Sequence, residues 1–298
     1  MQKAGFIGLG VMGEPMCRNL AQKSKVKVVG FDRDSEPLLR LAQHGVAAAK
    51  SVREAADGAE VIFLCLPSGE AVHDVAHARD GLLAAVQAGQ IVVDCSTSSF
   101  EVTHKLQKAF SERGVVFIDA PIARTRAAAE AGKLSVMVGA DQQTFDKVSP
   151  LIGTFAEEIT LCGAVGAGQV VKILNNMILF QIVVVLSEAK AIGEHAGVDP
   201  AVLFETLSKG SADSFALRNH GMKAVLKDDF PLRAFSVEYA CKDLKYALEL
   251  AKSAGVYSQG AHTVNALFER AIADGMGKNY WPVVSRLIET PSASKAGK

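Results

Sequence analysis

The sequence predicts an α/β N-terminal domain with a mostly parallel sheet, followed by an all-α C-terminal domain. Three observations carry this. Short apolar runs alternate with segments of helical period through the first half. A glycine-rich turn separates the first run from the first helical segment. No strand-like run recurs after Gly168. Strands are expected at residues 4–9, 26–31, 61–66, 91–94, 115–119, 134–138 and 159–162. Helical period fills the gaps at 15–22, 36–44 and 101–113, and this alternation implies a parallel sheet covered on both faces. Residues 170–196 read as one long helix, apolar nearly all round and therefore buried. Further helices are expected at 200–208, 237–254 and 261–273. Gly163, Gly166 and Gly168 punctuate the chain between the halves, which gives domains of 1–164 and 165–298. The polar tail after Thr290 reads as disordered.

Composition narrows the function. The chain has 298 residues, 49% of them hydrophobic, enough for two sizeable cores. Lys plus Arg equals Asp plus Glu at 32 each, so no nucleic-acid footprint is present. Cys17, Cys65, Cys95, Cys162 and Cys241 form no CxxC pair and fit reduced thiols. The N-terminus enters an apolar strand directly, without a signal-peptide pattern, and a cytoplasmic location is expected. The longest apolar stretch, 177–186, is broken by Gln181 and read as too short to span a membrane.

Gly8-Leu9-Gly10-Val11-Met12-Gly13 follows a strand and opens a helix. Gly8 suits a tight turn, Gly10 a close approach of pyrophosphate, and Gly13 strand–helix packing. The helix N-terminus offers N–H groups and partial positive charge to phosphate. A second strand ends at Asp32, nineteen residues past Gly13, and this context makes a Rossmann dinucleotide site. An acidic residue there accepts from the ribose hydroxyls and favours NAD. Arg33 beside it leaves NADP possible, because a guanidinium can take up the 2′-phosphate.

A second cluster begins the long helix, in Gly166-Ala-Gly168-Gln-Val-Val-Lys172-Ile-Leu-Asn175-Asn176. Gly168, Lys172 and Asn176 are four apart and line one stripe. An ammonium on so apolar a helix must face a cleft or a partner, or snorkel to solvent.

Five motifs recur in order: the glycine-rich turn, Asp94-Cys-Ser96-Thr97, Asp119-Ala-Pro121, the Gly166–Asn176 stretch, and Phe235 with Lys242-Asp243-Leu244. Together they resemble the β-hydroxyacid dehydrogenase family, which includes 3-hydroxyisobutyrate dehydrogenases and tartronate semialdehyde reductases. The resemblance covers residues 3 to about 290. It implies an NAD(P)-binding Rossmann domain, a helical substrate and oligomerisation domain, and an active site between them. It also implies Lys172 as the catalytic lysine and Asn176 as a substrate-orienting residue. Ser96 and Thr97 match the loop between nicotinamide and substrate, Leu66 and Pro67 the strand end beside the cofactor, and Lys242, with Phe235, the cofactor side of the helical domain.

The chain departs from the family at Phe100, where proline is common, and at Ala123-Arg124-Thr125, where many members read Ser-Gly-Gly. There glycine amides receive the substrate carboxylate. Here the Arg124 guanidinium can grip a carboxylate or sulfonate through two parallel hydrogen bonds. The variant resembles the subgroup of sulfolactaldehyde and succinic semialdehyde reductases, so a small anionic aldehyde or hydroxy acid is the expected substrate. Arg126 reads as a surface residue.

The expected reaction is reversible hydride transfer between NAD and a short hydroxy acid or its semialdehyde, with Lys172 as general acid and base. An ordinary lysine titrates at about 10.4, so oxidation should favour alkaline pH. Rival readings are an NADP-linked semialdehyde reductase, an imine reductase of the same architecture, and a non-catalytic cofactor-binding protein. His73 and His77 are spaced like metal ligands but lack a third, and no metal is expected. Asp213 and His220 lie in a polar stretch and are not expected in the site. The apolar long helix suggests a homodimer or homotetramer.

Overall fold

The computed structural model describes residues 1–232 and 234–288, and the expected disordered tail lies outside the described residues. The chain divides into compact units Met1–Lys172 and Ile173–Lys298.

The first unit is built on a nine-stranded sheet. Its strands are β1 (Lys3–Ile7), β2 (Lys27–Phe31), β3 (Ala47–Ala48), β4 (Val61–Leu64), β5 (Ile91–Asp94), β6 (Val116–Asp119), β7 (Ile122–Ala123), β8 (Leu134–Gly139) and β9 (Ala156–Gly163). The order is β3-β2-β1-β4-β5-β6-β8-β7, with β9 on β8. The six strands from β3 to β6 run parallel. The chain doubles back at β8, which is antiparallel to β6 and β7. The sheet is therefore mostly parallel, as the run of strand–helix units requires. Alternate residues supply two buried faces. Phe6 and Phe63 stack at 5.8 Å on one, and Phe110 and Phe117 stack at 5.4 Å on the other. β3 and β7, two residues each, carry no periodic signal and were not expected.

The strand order reverses between β1 and β4, so the loops leaving these strands part on either side of a crevice. In parallel α/β sheets such a crevice at the carboxyl ends of the strands is where ligands bind.

The second unit is helical, with Pro200–Leu207, Val237–Ser253 and Gln259–Ala273 as α-helices. A π-helical stretch (Leu217–Val225) and a 3-10 segment (Trp281–Leu287) complete it. Phe180 packs edge-on against Trp281 at 4.8 Å and Phe268 at 5.3 Å in its core. Among the described residues its only β pairing is two isolated bridges, Leu232↔Asn279 and Ser236↔Tyr280.

The long helix forms over Ala167–His195 but is not buried all round. Ile173, Phe180, Val183 and Val184 are buried, whereas Val171, Leu174, Ile178, Val185 and Ile192 are 37–70% exposed. Uniform apolarity could not tell which face has a neighbour within the chain. At 29 residues and mean hydropathy 2.0 over its most apolar window, the helix is long and apolar enough to cross a membrane. The uninterrupted run 177–186 understated its length, because the helix continues through polar residues at both ends.

Candidate functional site

The glycine-rich turn leaves β1 at the strand-order switch. Gly8 has φ +94°, and a Cβ there would lie 2.3 Å from the Cys65 carbonyl oxygen. A Cβ at Gly13 would lie 2.0 Å from the Gly8 carbonyl oxygen, so only glycine lets the helix Gly13–Lys23 start this close to the turn. A Cβ at Gly10 would meet nothing within 4 Å, so the backbone there is open to an approaching group. Met12 at the helix N-cap provides no side-chain cap, while the Glu14 amide donates to the Gly10 carbonyl at 3.0 Å and Pro15 has no N–H. A ligand here would therefore be met by the amides of the turn rather than by those of the first helical turn. These residues fit a dinucleotide pyrophosphate.

Asp32, just past β2, is half-buried and Arg33 is exposed. Asp32 Oδ2 accepts from the Leu9 amide at 2.6 Å and Oδ1 from the Asp34 amide at 2.9 Å. The carboxylate thus braces the glycine-rich turn. Val11 is exposed at 53%.

A buried polar network closes the same sheet edge. Asp94 and Asp119 end adjacent strands β5 and β6 and are register partners. Asp94 Oδ1 accepts from the Ser96 amide at 2.9 Å and Oδ2 from the Ser98 hydroxyl at 3.0 Å. Ser96 Oγ accepts from the Leu66 amide at 2.9 Å, tying the loop after β5 to half-buried Leu66, beside exposed Pro67, just past β4. Asp119 accepts from the Gly166 amide at 2.6 Å and the Gln169 amide at 2.8 Å, satisfying donors at the start of the long helix. Gln169 then links helix to loop: Oε1 accepts from the Ser98 amide at 3.0 Å and Nε2 donates to the Ser96 carbonyl at 2.8 Å. Lys172, half-buried, stands three residues further along this helix. Burial pushes both carboxyls up from 3.8 to about 6, against the pull of their hydrogen bonds.

Arg124 follows the short strand β7, which ends at Ala123, and has φ +85°. Glycine enters that left-handed region freely, whereas another residue does so at a cost of about 1 kcal/mol or more. Its Nη1 donates to the Lys133 carbonyl at 2.7 Å and to Glu157 Oε2 at 2.9 Å. Both bonds use one nitrogen, so neither occupies the Nε–Nη2 edge of the guanidinium. Thr125 caps the helix Arg126–Ala131 by accepting from the Ala128 amide. Arg126 pairs with Glu130 at 2.9 Å on the exposed helix surface. Phe100 is the first residue of its helix, after Ser99 as N-cap, a position where proline is also well accommodated.

In the second unit Asn176 is 2% exposed and donates to Asp243 Oδ2 at 2.7 Å. Asp243 Oδ1 pairs with Lys242 Nζ at 2.7 Å, and Lys242 also lies 4.8 Å from the Tyr246 ring centroid. Phe235, 37% exposed, stacks between Phe180 and Tyr239. Asp243 joins two expected site residues, Asn176 and Lys242, and Gln169 ties the expected Ser96 to the start of the long helix. Neither was singled out from the sequence, although each is a polar residue within an otherwise apolar motif.

His73 and His77 stack at 4.1 Å on the helix Gly69–His77. Among the described residues no group of three His, Cys, Asp or Glu could hold a metal ion. Asp213 pairs with Arg218, and buried His220 shares a 2.5 Å hydrogen bond with the Tyr280 hydroxyl. The cysteines are free, and burial raises the thiol pKa of Cys65 to about 12.

This turn and its supporting carboxylate belong to an NAD(P)-binding dehydrogenase. A family model described as the NAD binding domain of 6-phosphogluconate dehydrogenase matches residues 3–163. A second, described as the NAD-binding of NADP-dependent 3-hydroxyisobutyrate dehydrogenase, matches residues 166–282. The chain is 34% identical to a 2-(hydroxymethyl)glutarate dehydrogenase of Eubacterium barkeri, over 96% of this chain and 95% of that one. It is 32% identical to an NAD-dependent L-serine dehydrogenase of Pseudomonas aeruginosa, over 97% and 98%. A solved Mycobacterium tuberculosis 3-hydroxyisobutyrate dehydrogenase with L-serine superposes with a TM-score of 0.88 at 28% identity, covering 97% of this chain and 100% of that one. The chain belongs to the β-hydroxyacid dehydrogenase family and is an NAD(P)-dependent hydroxyacid dehydrogenase acting on CH–OH.

Proposed function

We propose that the enzyme interconverts a short hydroxy acid carrying a terminal carboxylate or sulfonate with its semialdehyde, using NAD in preference to NADP. Lys172 is the general acid and base, and Arg124 binds the substrate anion. The observation that carries the reading is the network around Asp119. It fixes the helical turn before Lys172 to the carboxyl end of β6, at the sheet edge where the glycine-rich turn lies.

The turn at Gly8–Gly13 holds the pyrophosphate, and Asp32 accepts from the ribose hydroxyls. When bound, the nicotinamide supplies the hydride in reduction and takes it in oxidation. In reduction the Lys172 ammonium donates a proton to the substrate carbonyl oxygen. In oxidation neutral Lys172 removes the hydroxyl proton. Such acid–base help contributes about 10² to 10⁴-fold. Ser96 and Asn176 orient the reacting end of the substrate, and Leu66, Pro67, Thr97, Phe235 and Lys242 contact the cofactor. Arg124, flanked by Ala123 and Thr125, takes the far anion through its Nε–Nη2 edge, with Glu157 on Nη1 offsetting part of its charge. Relatives named for 2-(hydroxymethyl)glutarate and L-serine act on carboxylates, which supports an anionic substrate here. The lysine at 172 favours this chemistry over imine reduction. The exposed apolar stripe Leu174, Ile178, Val185 and Ile192 supports a homodimer or homotetramer, with a second copy covering it.

The test is a panel of short semialdehydes and hydroxy acids, carboxylate, sulfonate and uncharged, followed at the nicotinamide absorbance band with each cofactor. Turnover confined to anionic members, faster with NAD, is expected. Equal turnover of uncharged analogues, or a preference for NADP, would overturn the corresponding part.

A further inference from the structure

We infer that Gln169 is a positioning residue, which holds the Ser96–Thr97 loop at a fixed distance from the helical turn carrying Lys172. The inference rests on the acid–base reading of Lys172 given above.

Gln169 is fully buried, and both ends of its side-chain amide are spent on one loop. Its backbone amide is spent on Asp119, at the end of the neighbouring strand. The start of the helix is therefore fixed twice, by amides to β6 and by a side chain to the loop after β5. The loop itself is braced from its other side, through Asp94 beneath and the Leu66 amide alongside. Of these ties, Gln169 is the one that runs to the helix bearing Lys172. Lys172 lies three residues on, about 4.5 Å along the axis and close to the same face.

Two glycines let this junction close. A Cβ at Gly168 would lie 2.3 Å from the Met137 carbonyl oxygen and 2.8 Å from Asp119 Oδ2. A Cβ at Gly139 would lie 2.2 Å from Asp119 Oδ1. The helix start thus sits directly against β8 and the Asp119 carboxylate, with no room for a slack arrangement. An apolar side chain could fill the volume of Gln169. Only a group with a donor and an acceptor in a fixed fork can hold the Ser98 amide and the Ser96 carbonyl together. A satisfied buried network of this kind selects one arrangement of loop and helix, and a displacement of about 1 Å in a catalytic group can cost about 10²-fold in rate.

Gln169→Met keeps the length and burial and removes both bonds. In the cofactor-free protein, hydrogen exchange of the 96–99 segment should accelerate at least about tenfold while strands β1 and β4 stay protected. NADH affinity, read by fluorescence, should stay within about twofold. With the best substrate of the panel, kcat should fall roughly 10²-fold with the KM for cofactor unchanged. Unchanged exchange, or kcat within about threefold of wild type, would overturn the inference. If Gln169→Met does not fold, Gln169→Glu serves instead: it keeps the acceptor for the Ser98 amide, loses the donor to Ser96, and should show the same split. Lys172→Ala is measured alongside. If Lys172→Ala retains kcat, the acid–base reading fails and this inference fails with it. If Lys172→Ala loses kcat while Gln169→Met keeps it, this inference alone is wrong.

Discussion

Replacing Asp94 with asparagine should stabilise the enzyme at neutral pH and not at pH 4. The Asp94 carboxylate is fully buried, and desolvation, with a contribution from the charge of Asp119, lifts its pKa from 3.8 to about 6. A shift of about 2 units, at about 1.4 kcal/mol each, is about 3 kcal/mol. Because the folded pKa lies above the unfolded one, this stability is fully present below pH 3.8 and is lost as pH rises through 6. Asparagine carries no such loss and fits the same contacts. Its Oδ1 keeps the Ser96 amide, and its Nδ2 donates to the Ser98 hydroxyl, which rotates to accept. Urea unfolding followed by circular dichroism across pH 4 to 8 measures the difference between Asp94→Asn and wild type. Comparing the two proteins cancels surface carboxyls whose pKa is lowered, such as Asp141 and Asp228. The difference should grow from near zero to about 3 kcal/mol in favour of the variant. A difference independent of pH, or a variant less stable at pH 7.5, would refute the burial argument.

Asp32→Ser should narrow the preference for NAD and, because Asp32 also braces the Leu9 amide, raise KM for both cofactors by about tenfold. A narrowed preference with unchanged KM for NAD would show that the brace contributes nothing. Arg124→Ala should raise KM for anionic substrates at least about tenfold, about 1.4 kcal/mol, and change neutral analogues little. Equal losses on both would mean that Arg124 holds its loop through Lys133 and Glu157 and binds no anion. Glu157→Gln, which removes a half-exposed negative charge from beside Nη1, should lower the same KM by about threefold, and a rise would contradict that charge offset.

What was legible in the sequence was local. The spacing of Gly8, Gly10 and Gly13 and the position of Asp32 belong to one strand–turn–helix–strand unit, Lys3 to Asp32. The main strands of the parallel sheet were legible because a strand covered on both faces is continuously apolar. Contacts made over long separations were hidden. Gln169 meets Ser98 across 71 residues, and Asn176 meets Asp243 across 67. The π-helical stretch Leu217–Val225 has no distinctive period, and the two-residue strands offer no pattern. The exposed face of the long helix was hidden for the opposite reason: its residues are as apolar as those it buries. Arg124 stood out because glycine is usual there, but its bonds to Lys133 and Glu157 depend on the return of β8 and β9.

The pH dependence of hydroxy-acid oxidation in wild type and Lys172→Ala tests the central claim most directly. Lysine must lose its proton before it can act as base, so wild-type kcat should climb with pH toward the alkaline side. In Lys172→Ala that rise should vanish, with kcat lower by about 10² to 10⁴-fold and NADH binding intact. A variant that keeps both the rise and near-normal kcat would show that the proton moves through another group.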